Sequence, residues 1–396
     1  MARLDPILIA GGGIAGLSLA IALARRGIAS RILERNSVFS EAGAGIQLGP
    51  NAIGVLRRLG VAPRLAPHAA WPASIDVRDG RAGHRITRLP LGAWVVHRYG
   101  EPYGVVHRAD LQTALLETAK AESAIEIVEG FRVDNVGVGA NGGVTADSEE
   151  GDRQKGQALI GADGIWSSVR RWIDPEADLN FSGKTASRAI LPIEEIADEF
   201  RDVTTVWLMP GAHVVHYPVR GGRAMALVVV IDGPWPGRGW GHATDAKTVL
   251  ARVAGADSKL INLLKQASEW RSWALYDPAP LNTWFKGSVC LMGDAAHPVL
   301  PFLAQGGVMA LEDAETLAVC IARFGDDFPT AFAAYEAQRK DRGERVQRAS
   351  RRNGTIFHAS GLSRVARDAA LRAAPGALMM ARYDWLYGWD GPVTPP

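Results

Sequence analysis

The feature that most constrains this chain is the run Gly11-Gly12-Gly13-Ile14-Ala15-Gly16. It is set between a short apolar segment, residues 6–10, and a stretch of helix formers, 14–26, that Gly27 stops. In a G-x-G-x-x-G turn the first glycine makes the tight bend, the second lets backbone approach a diphosphate, and the third lets helix and strand pack closely. A diphosphate held there meets the free N–H groups and the positive dipole end of the helix. Residues 29–33 read as a second strand. Glu34 at its end stands 23 residues after Gly11, where a carboxylate can hydrogen-bond a ribose 2′-hydroxyl. The glycine pattern alone is weak. Strand, turn, helix, strand and acid in that order specify a β-α-β nucleotide-binding unit, without saying which dinucleotide it takes.

The same segment imitates a targeting signal, because residues 7–24 are apolar or glycine except for Ser18, and Arg25-Arg26 follow. Asp5-Pro6 in front, positive charge behind and four interrupting glycines argue instead for a buried strand, turn and helix. No other apolar run approaches the ~18 residues of a bilayer span. With 44 basic and 42 acidic residues the formal charge is +2, which offers no electrostatic case for nucleic acid or an anionic membrane as partner. Apolar residues at 47% and charged residues at 22% exclude a disordered chain, a collagen and a coiled coil. Cys290 and Cys320 are too few for a disulfide framework and lack C-x-x-C spacing, so a cytoplasmic setting is expected.

Downstream, residues 51–59 and 108–121 read as helices, 71–98 as strands, and 125–146 as strands with a hairpin turn at Asn141-Gly142-Gly143. Residues 158–162 form another apolar strand, ending at Asp163. From about 173 to 271 the pattern changes. Strands at 204–208, 213–219 and 224–231, separated by Pro-Gly and Gly-Gly turns, predict a separate, mostly antiparallel sheet closed by a helix near 245–268. A strand at 288–291, a helix at about 306–322, a long charged helix at 328–349 and a tail bearing Tyr383, Trp385, Tyr387 and Trp389 follow. The predicted fold class is α/β. A Rossmann-like nucleotide-binding domain takes residues 1–70, 99–172 and 272–345, an inserted antiparallel substrate domain takes 71–98 and 173–271, and a C-terminal helical segment takes 346–396.

Two further motifs repeat one design. Ile160-Gly161-Ala162-Asp163-Gly164 precedes Ser167-Ser168-Val169-Arg170, and Met292-Gly293-Asp294-Ala295-Ala296-His297-Pro298 follows the strand at 289–291. Each is an apolar strand ending at a Gly/Asp pair before small residues, where an open parallel sheet binds its ligands. Either alone reads as well as an Asp-capped turn. All three in this order resemble the single-component, FAD-dependent aromatic hydroxylases. The stretch 293–314 and the terminal Tyr383-Asp384-Trp385-Leu386-Tyr387-Gly388-Trp389-Asp390 are closest to the salicylate hydroxylase and 3-hydroxybenzoate 6-hydroxylase branch.

The resemblance implies that Gly11, Gly13, Ala15 and Gly16 hold the FAD diphosphate, and that Glu34, with Arg35 beside it, binds the adenosine ribose. It implies that Gln47 passes near the flavin, that Arg108 contacts the diphosphate or ribityl region, and that Gly293 and Asp294 bind ribityl hydroxyls or diphosphate. Asp163 would shape cofactor and NAD(P)H contacts. Pro301 would line both cofactor and substrate, and Gly306 and Gly307 would open a helix beneath the flavin pyrimidine ring. The helix dipole there suits the negative charge of reduced flavin.

Strand alternation in 213–219 puts His213, Val215 and Tyr217 on one face and His216 on the other. In the resembled branch a matching His-x-x-x-Tyr faces the substrate, which assigns catalytic roles to His213, Tyr217 and Gln305, with Tyr103 and Gln47 near the ring. A phenol of pKa near ~10 needs a base, and a histidine near ~6.5 can supply it. His213 also reads as a structural hydrogen-bonding group, and Tyr217 as core. His297 reads as a structural cap, Arg188 and Arg220 as surface or inter-sheet groups with substrate carboxylate as the alternative, and 339–352 as a solvated arginine face.

The implied activity is hydroxylation of a phenolic, hydroxybenzoate-like acid, with O2 activated at flavin C4a. NADH or NADPH is expected as a transient co-substrate, since no second G-x-G-x-x-G is present. Alternatives are hydroxylation of an N-heterocyclic acid such as a hydroxynicotinate, and a non-catalytic flavin-binding sensor. No metal site is expected, and the terminal aromatics would suit either packing or a homodimer.

Overall fold

The computed structural model describes residues 5–37, 45–140, 142–235 and 241–394; Asn141 of the expected hairpin turn lies outside them. In chain order the strands begin with β1 (Ile7–Ala10), β2 (Ser30–Glu34), β3 (Gly45–Leu48), β4 (Ser74–Asp79), β5 (Arg85–Pro90), β6 (Gly104–His107) and β7 (Ile125–Glu129). They continue with β8 (Val133–Val138), β9 (Val144–Ser148), β10 (Arg153–Gly156), β11 (Leu159–Gly161), β12 (Phe181–Pro192), β13 (Val203–Met209) and β14 (Ala212–Val219). The last are β15 (Ala224–Asp232), β16 (Gly241–Thr244), β17 (Trp270–Tyr276), β18 (Phe285–Lys286) and β19 (Val289–Leu291).

Six of these form one sheet in the order β18-β19-β11-β1-β2-β7, parallel except at the β18–β19 edge. The fully buried central strands β1, β11 and β19, with apolar helices on the sheet faces, explain the near-continuous hydrophobic runs of the sequence there. The helix Ile14–Ala24 packs against the helix Gly306–Phe324, and residues of both belong to one core with β1, β11 and β19. Two glycines set the closeness of this layer. Gly11 has φ +101°, and a Cβ on Gly16 would fall 1.9 Å from the Gly11 carbonyl oxygen.

Eight strands form the second sheet, β16-β17-β12-β15-β14-β13-β4-β5, antiparallel except between β13 and β4. One face buries Val214, Leu227, Val229 and Trp207 against the helices Ala246–Arg252 and Ser258–Lys265. The sequence predicted one helix there; the chain makes two, with Gly255 at φ +79° between them. Residues 71–98, expected as strands, supply β4 and β5 but then turn into a helix, Gly92–Tyr99. The long helix runs from Phe328 to Phe357, well past the expected end at 349.

The expectation that 339–352 is a solvated arginine face holds for Arg345, Arg348 and Arg352 and fails for Arg339 and Arg342. Arg339 and Arg342 stand three residues apart, on one side of the helix. The Arg339 side chain is 1% exposed and bonds both Glu312 (2.7 Å) and Asp313 (2.7 Å), and Arg342 reaches Glu312 at 2.7 Å. Asn51 donates to the same Glu312 carboxylate at 2.7 Å, and His297 Nε2 and the Gly293 N–H reach Asp313 at 2.6 and 2.9 Å. The terminal aromatics pack on their own chain. Tyr387 lies against Tyr103, Trp389 under Arg58 and Arg339, and Trp385 under Arg345.

Burial opposes ionisation of Glu312 and Asp313, but the surrounding cationic groups outweigh it, so both carboxyls titrate below the usual carboxylate range. Replacing Arg339 with alanine would take from two buried carboxylates the cation they share, leaving Glu312 to Arg342 and Asn51 and Asp313 to His297 and the Gly293 N–H. It is expected to cost about 3–5 kcal/mol, read as a large drop in the thermal unfolding midpoint. Depressed folded-state values also fix the sign with pH. The cluster stabilises fully above pH ~4.5 and its contribution is lost as pH falls below the unfolded values of ~3.9 and ~4.3. Thermal melts of wild type and Arg339→Ala should therefore converge in acid.

Candidate active site

A cleft of about 730 Å³ opens at the carboxyl ends of β1, β11 and β2 and extends to one face of the eight-stranded sheet. Its volume falls in the range of about 300–1,000 Å³ usual for small-molecule sites. At one end it is floored by the glycine turn. Gly11, Gly13 and Ala15 line it, while Gly16 lies behind, occupied by helix packing. A Cβ on Gly13 would meet no atom within 4 Å, so the missing side chain leaves open cleft beside the start of a helix that has no side-chain cap. Glu34 also lines the cleft, and its carboxylate accepts from the Gly12 N–H at 2.7 Å and from Asn36 N and Nδ2 at 2.9 and 2.7 Å. It thus holds the glycine turn from the strand end. Arg35, Arg108 and Asp163 line the same region. Asp163 Oδ2 accepts from Ser168 N at 2.9 Å, while Oδ1 is buried without a partner. Burial raises the carboxyl pKa against the opposing pull of the hydrogen bonds it accepts.

A second helix start faces the middle of the cleft. The turn Pro301–Leu303 ends at Ala304, whose φ of +53° is rare for a residue with a side chain, and Gly306 begins the helix Gly306–Phe324. Pro301, Ala304, Gly306 and Gly307 line the cleft, as does Asp294, whose pKa is raised by burial against an opposing pull from Arg108. Gly293 stays behind, its N–H on Asp313. Two uncapped helix starts, open glycines and carboxylates at strand ends are the donor set that a diphosphate, a polyol chain and a planar anion-bearing ring require. The residues present therefore fit FAD.

The opposite wall is built from cross-strand rows. His213 pairs across to Val230 and then Ala186, Val215 to Val228 and then Arg188, and Tyr217 to Ala226 and then Ile190. Arg271 and Trp273 of the next strand continue the rows of Arg188 and Ala186. His213, Val215, Tyr217, Arg188 and Trp273 all line the cleft, and the Arg188 guanidinium sits over the Trp273 ring at 5.1 Å. His216 is on the far face, buried beside Phe200 and Trp207, with its pKa pushed down to about 3 by burial, then by Arg78. Burial first, then His358 and Lys184, hold the His213 imidazole well below its usual pKa, and burial pushes the Tyr217 phenol up to about 12.

Several expected site residues are arranged differently. Gln305 is 1% exposed and does not line the cleft; its amide oxygen accepts from Asn51 at 3.3 Å. Tyr103 lies one layer back, its hydroxyl donating at 2.6 Å to Gln47, which does line the cleft. Arg188, read as a surface or inter-sheet group, turns into the cleft, whereas Arg220 is exposed in a turn at φ +54° outside it. His297 is the buried structural partner of Asp313. The sequence reading missed His358, whose Nε2 lies 2.8 Å from His213 Nδ1, and no local pattern points to it.

The family described as FAD binding domain matches residues 5–350 of this chain. The 3-hydroxybenzoate 6-hydroxylase of Polaromonas naphthalenivorans (strain CJ2) is 35% identical over 387 residues, 97% of this chain and 96% of that protein. A 3-amino-4-hydroxybenzoate 2-monooxygenase of Streptomyces platensis is 36% identical over 392 residues, 97% of this chain and 96% of its own length. Among solved structures, HpxO of Klebsiella pneumoniae in complex with FAD and uric acid is 27% identical and superposes with a TM-score of 0.84, covering 95% of each chain. Replacing Gly13 with valine would fill open cleft without touching the fold. FAD content of the purified protein, read from its visible absorbance, should fall at least about tenfold with an unchanged circular dichroism spectrum. Gly16→Ala, by contrast, should lower the folded yield.

Proposed function

The chain belongs to the FAD-dependent aromatic hydroxylases, monooxygenases that carry the FAD binding domain, and from that premise we propose that it hydroxylates a phenolic aromatic acid of the hydroxybenzoate class with NAD(P)H and O2. One observation carries the substrate reading. A neutral, buried imidazole and a guanidinium, His213 and Arg188, share one sheet wall with Val215, Val228 and Trp273, opposite a dinucleotide cradle. A phenolic acid presents a proton to the first, a carboxylate to the second, and a flat ring to Val215, Val228 and Trp273 between them. A hydroxypyridine carboxylate presents the same groups and belongs in the same substrate panel.

FAD, reduced by NAD(P)H, supplies the activated oxygen when bound. The chain's own residues do the rest. Gly11, Gly13, Ala15 and the helix start at Ile14 hold the diphosphate; Glu34, Arg35, Arg108, Asp163 and Asp294 bind its sugar, polyol and charged parts. Pro301, Gly306 and Gly307 border the ring, and the helix dipole favours negative charge there. His213 takes the phenolic proton at Nε2, because Nδ1 is engaged with His358. The phenolate oxygen then donates electron density to the ring. Arg188 orients the carboxylate through a charge-assisted bond in a desolvated place. Tyr217 bounds the ring on the same wall, Gln47 approaches it from β3 with Tyr103 behind, and Gln305 supports the loop through Asn51. The nucleotide-binding part is read on the six-stranded sheet and the substrate part on the eight-stranded sheet, whose strand β17 runs past the expected boundary at 271 to Tyr276. Two unpaired, buried cysteines fit a reducing cytoplasm. Among the described residues no helix is long and apolar enough to cross a membrane.

The reading is tested by aerobic NADH and NADPH oxidation by the FAD-loaded protein against hydroxybenzoates and hydroxypyridine carboxylates, with product analysis. An aromatic that accelerates oxidation and returns hydroxylated supports it; none doing so overturns it. His213→Ala is expected to lower kcat about 100-fold, and Arg188→Gln to raise KM for the acid about 10- to 100-fold with a smaller change in kcat. With the imidazole pKa depressed, the base stays neutral, so kcat/KM of wild type should not fall between pH ~8 and ~6.5.

A further inference from the structure

His213 does not end a hydrogen-bonded chain; it begins one. Its Nδ1 lies 2.8 Å from Nε2 of His358, and Nδ1 of His358 lies 2.7 Å from Oδ1 of Asp232. Three elements converge to make this line: His213 on β14, Asp232 at the last position of β15, and His358 capping the long helix Phe328–Phe357. Backbone bonds fix the junction, since the Gly211 N–H donates to the His358 carbonyl at 3.1 Å and the Asp232 N–H to the Gly211 carbonyl at 2.9 Å. His213 is 3% exposed and His358 8%, with the Phe302 and Phe357 rings against them, whereas the Asp232 side chain is 44% exposed. Lys184 also pairs with Asp232. The line therefore runs from cleft, through closed protein, to solvent.

We propose that His213, His358 and Asp232 form a proton relay that carries the substrate's phenolic proton from the cleft to bulk water. The proposal rests on the phenol hydroxylase reading above. The phenolic O–H proton moves to His213 Nε2, the Nδ1 proton of His213 moves to His358 Nε2, and the Nδ1 proton of His358 moves to Asp232, which releases it to water. Each imidazole ends neutral, with its proton on the other nitrogen, and the carboxylate ends ionised. No electron changes hands, and reverse transfer when the product phenol leaves restores the starting tautomers.

The surroundings demand such an outlet. With substrate on its Nε2 side, His213 has one hydrogen-bonding outlet among the described residues, His358. Neither imidazole can retain the proton, because burial disfavours the charged form of both and Lys184 adds to it. Burial opposes ionisation of Asp232 too, but Lys184 and His358 outweigh it, so this acid passes a proton on rather than keeping it.

His358→Gln and Asp232→Asn, as FAD-loaded proteins, test the relay with the panel phenol that wild type turns over. His358 and Asp232 act through His213, so FAD content and KM should match wild type while kcat falls about tenfold or more. Wild-type kcat should be flat from pH ~6.5 to ~8, whereas variant kcat should rise with pH as the phenol, of pKa ~10, ionises without help. Imidazole added to His358→Gly should restore kcat. A wild type that turns over, with both variants matching its kcat and pH profile or with lost kcat that neither pH nor imidazole recovers, overturns the relay alone. A wild type that hydroxylates no panel phenol overturns the hydroxylase reading, and the relay with it.

Discussion

The arrangement depends on four charges between two helices, three of them buried and the fourth, Arg342, half-buried. Glu312 and Asp313 occupy neighbouring positions on the helix Gly306–Phe324, and Arg339 and Arg342 reach them from the helix Phe328–Phe357. Isolated, any of these groups would be expelled to water or neutralised; paired and hydrogen-bonded, they lock the two helices in one register. The lock extends outward. Asp313 holds the Gly293 N–H and His297, Glu312 holds Asn51, and Arg342 bonds the carbonyls of Trp385 and Leu386. The strand-end loop, the helix start facing the cleft and the C-terminal segment are thus referred to one rigid point.

From that point the cleft is assembled by two sheets with different duties. The parallel sheet ends its strands at glycines and acids, which suits an anionic, polyhydroxylated cofactor. The antiparallel sheet offers a flat wall with alternate residues facing the cleft, which suits an aromatic ring and allows a base and a cation to be spaced by rows. The long helix joins the two. Along one side Gln347, Ser350 and Asn353 donate to the carbonyls of Pro298, Leu300 and Phe302, fixing the loop between them, and its end delivers His358 to the back of His213. The loop bordering the cleft and the histidine behind His213 are in this way positioned by one element.

Much of this is legible in the amino-acid sequence. Gly11 to Gly16 with Glu34 carries its own geometry, because the need for positive φ at Gly11 and for no Cβ at Gly16 is local. Period-two alternation separated His213 and Tyr217 from His216 for the same reason: along a strand, covalent geometry alone decides the face. What misled was chemistry that depends on a distant partner. The arginines of 339–352 form a charge run that is normally solvated, and only Glu312 and Asp313, on a helix packed against it, make Arg339 and Arg342 interior. Gln305 stands between two residues that line the cleft, yet its amide oxygen turns to Asn51, and Tyr103 stays one layer back, with its hydroxyl on Gln47.

The sequence by itself therefore determined the β-α-β nucleotide unit, the order of the three strand-end motifs, the separate antiparallel sheet and which strand residues share a face. These follow from torsional limits and short-range periodicity. The tertiary structure alone decided that Arg188 enters the cleft while Arg220 does not, that Gln305 turns inward, and that Asp232 and His358 line up behind His213. Those outcomes depend on how elements far apart in the chain pack. A buried polar group takes whichever partner that packing brings within about 3 Å, because leaving it unpaired costs about 1–3 kcal/mol or more.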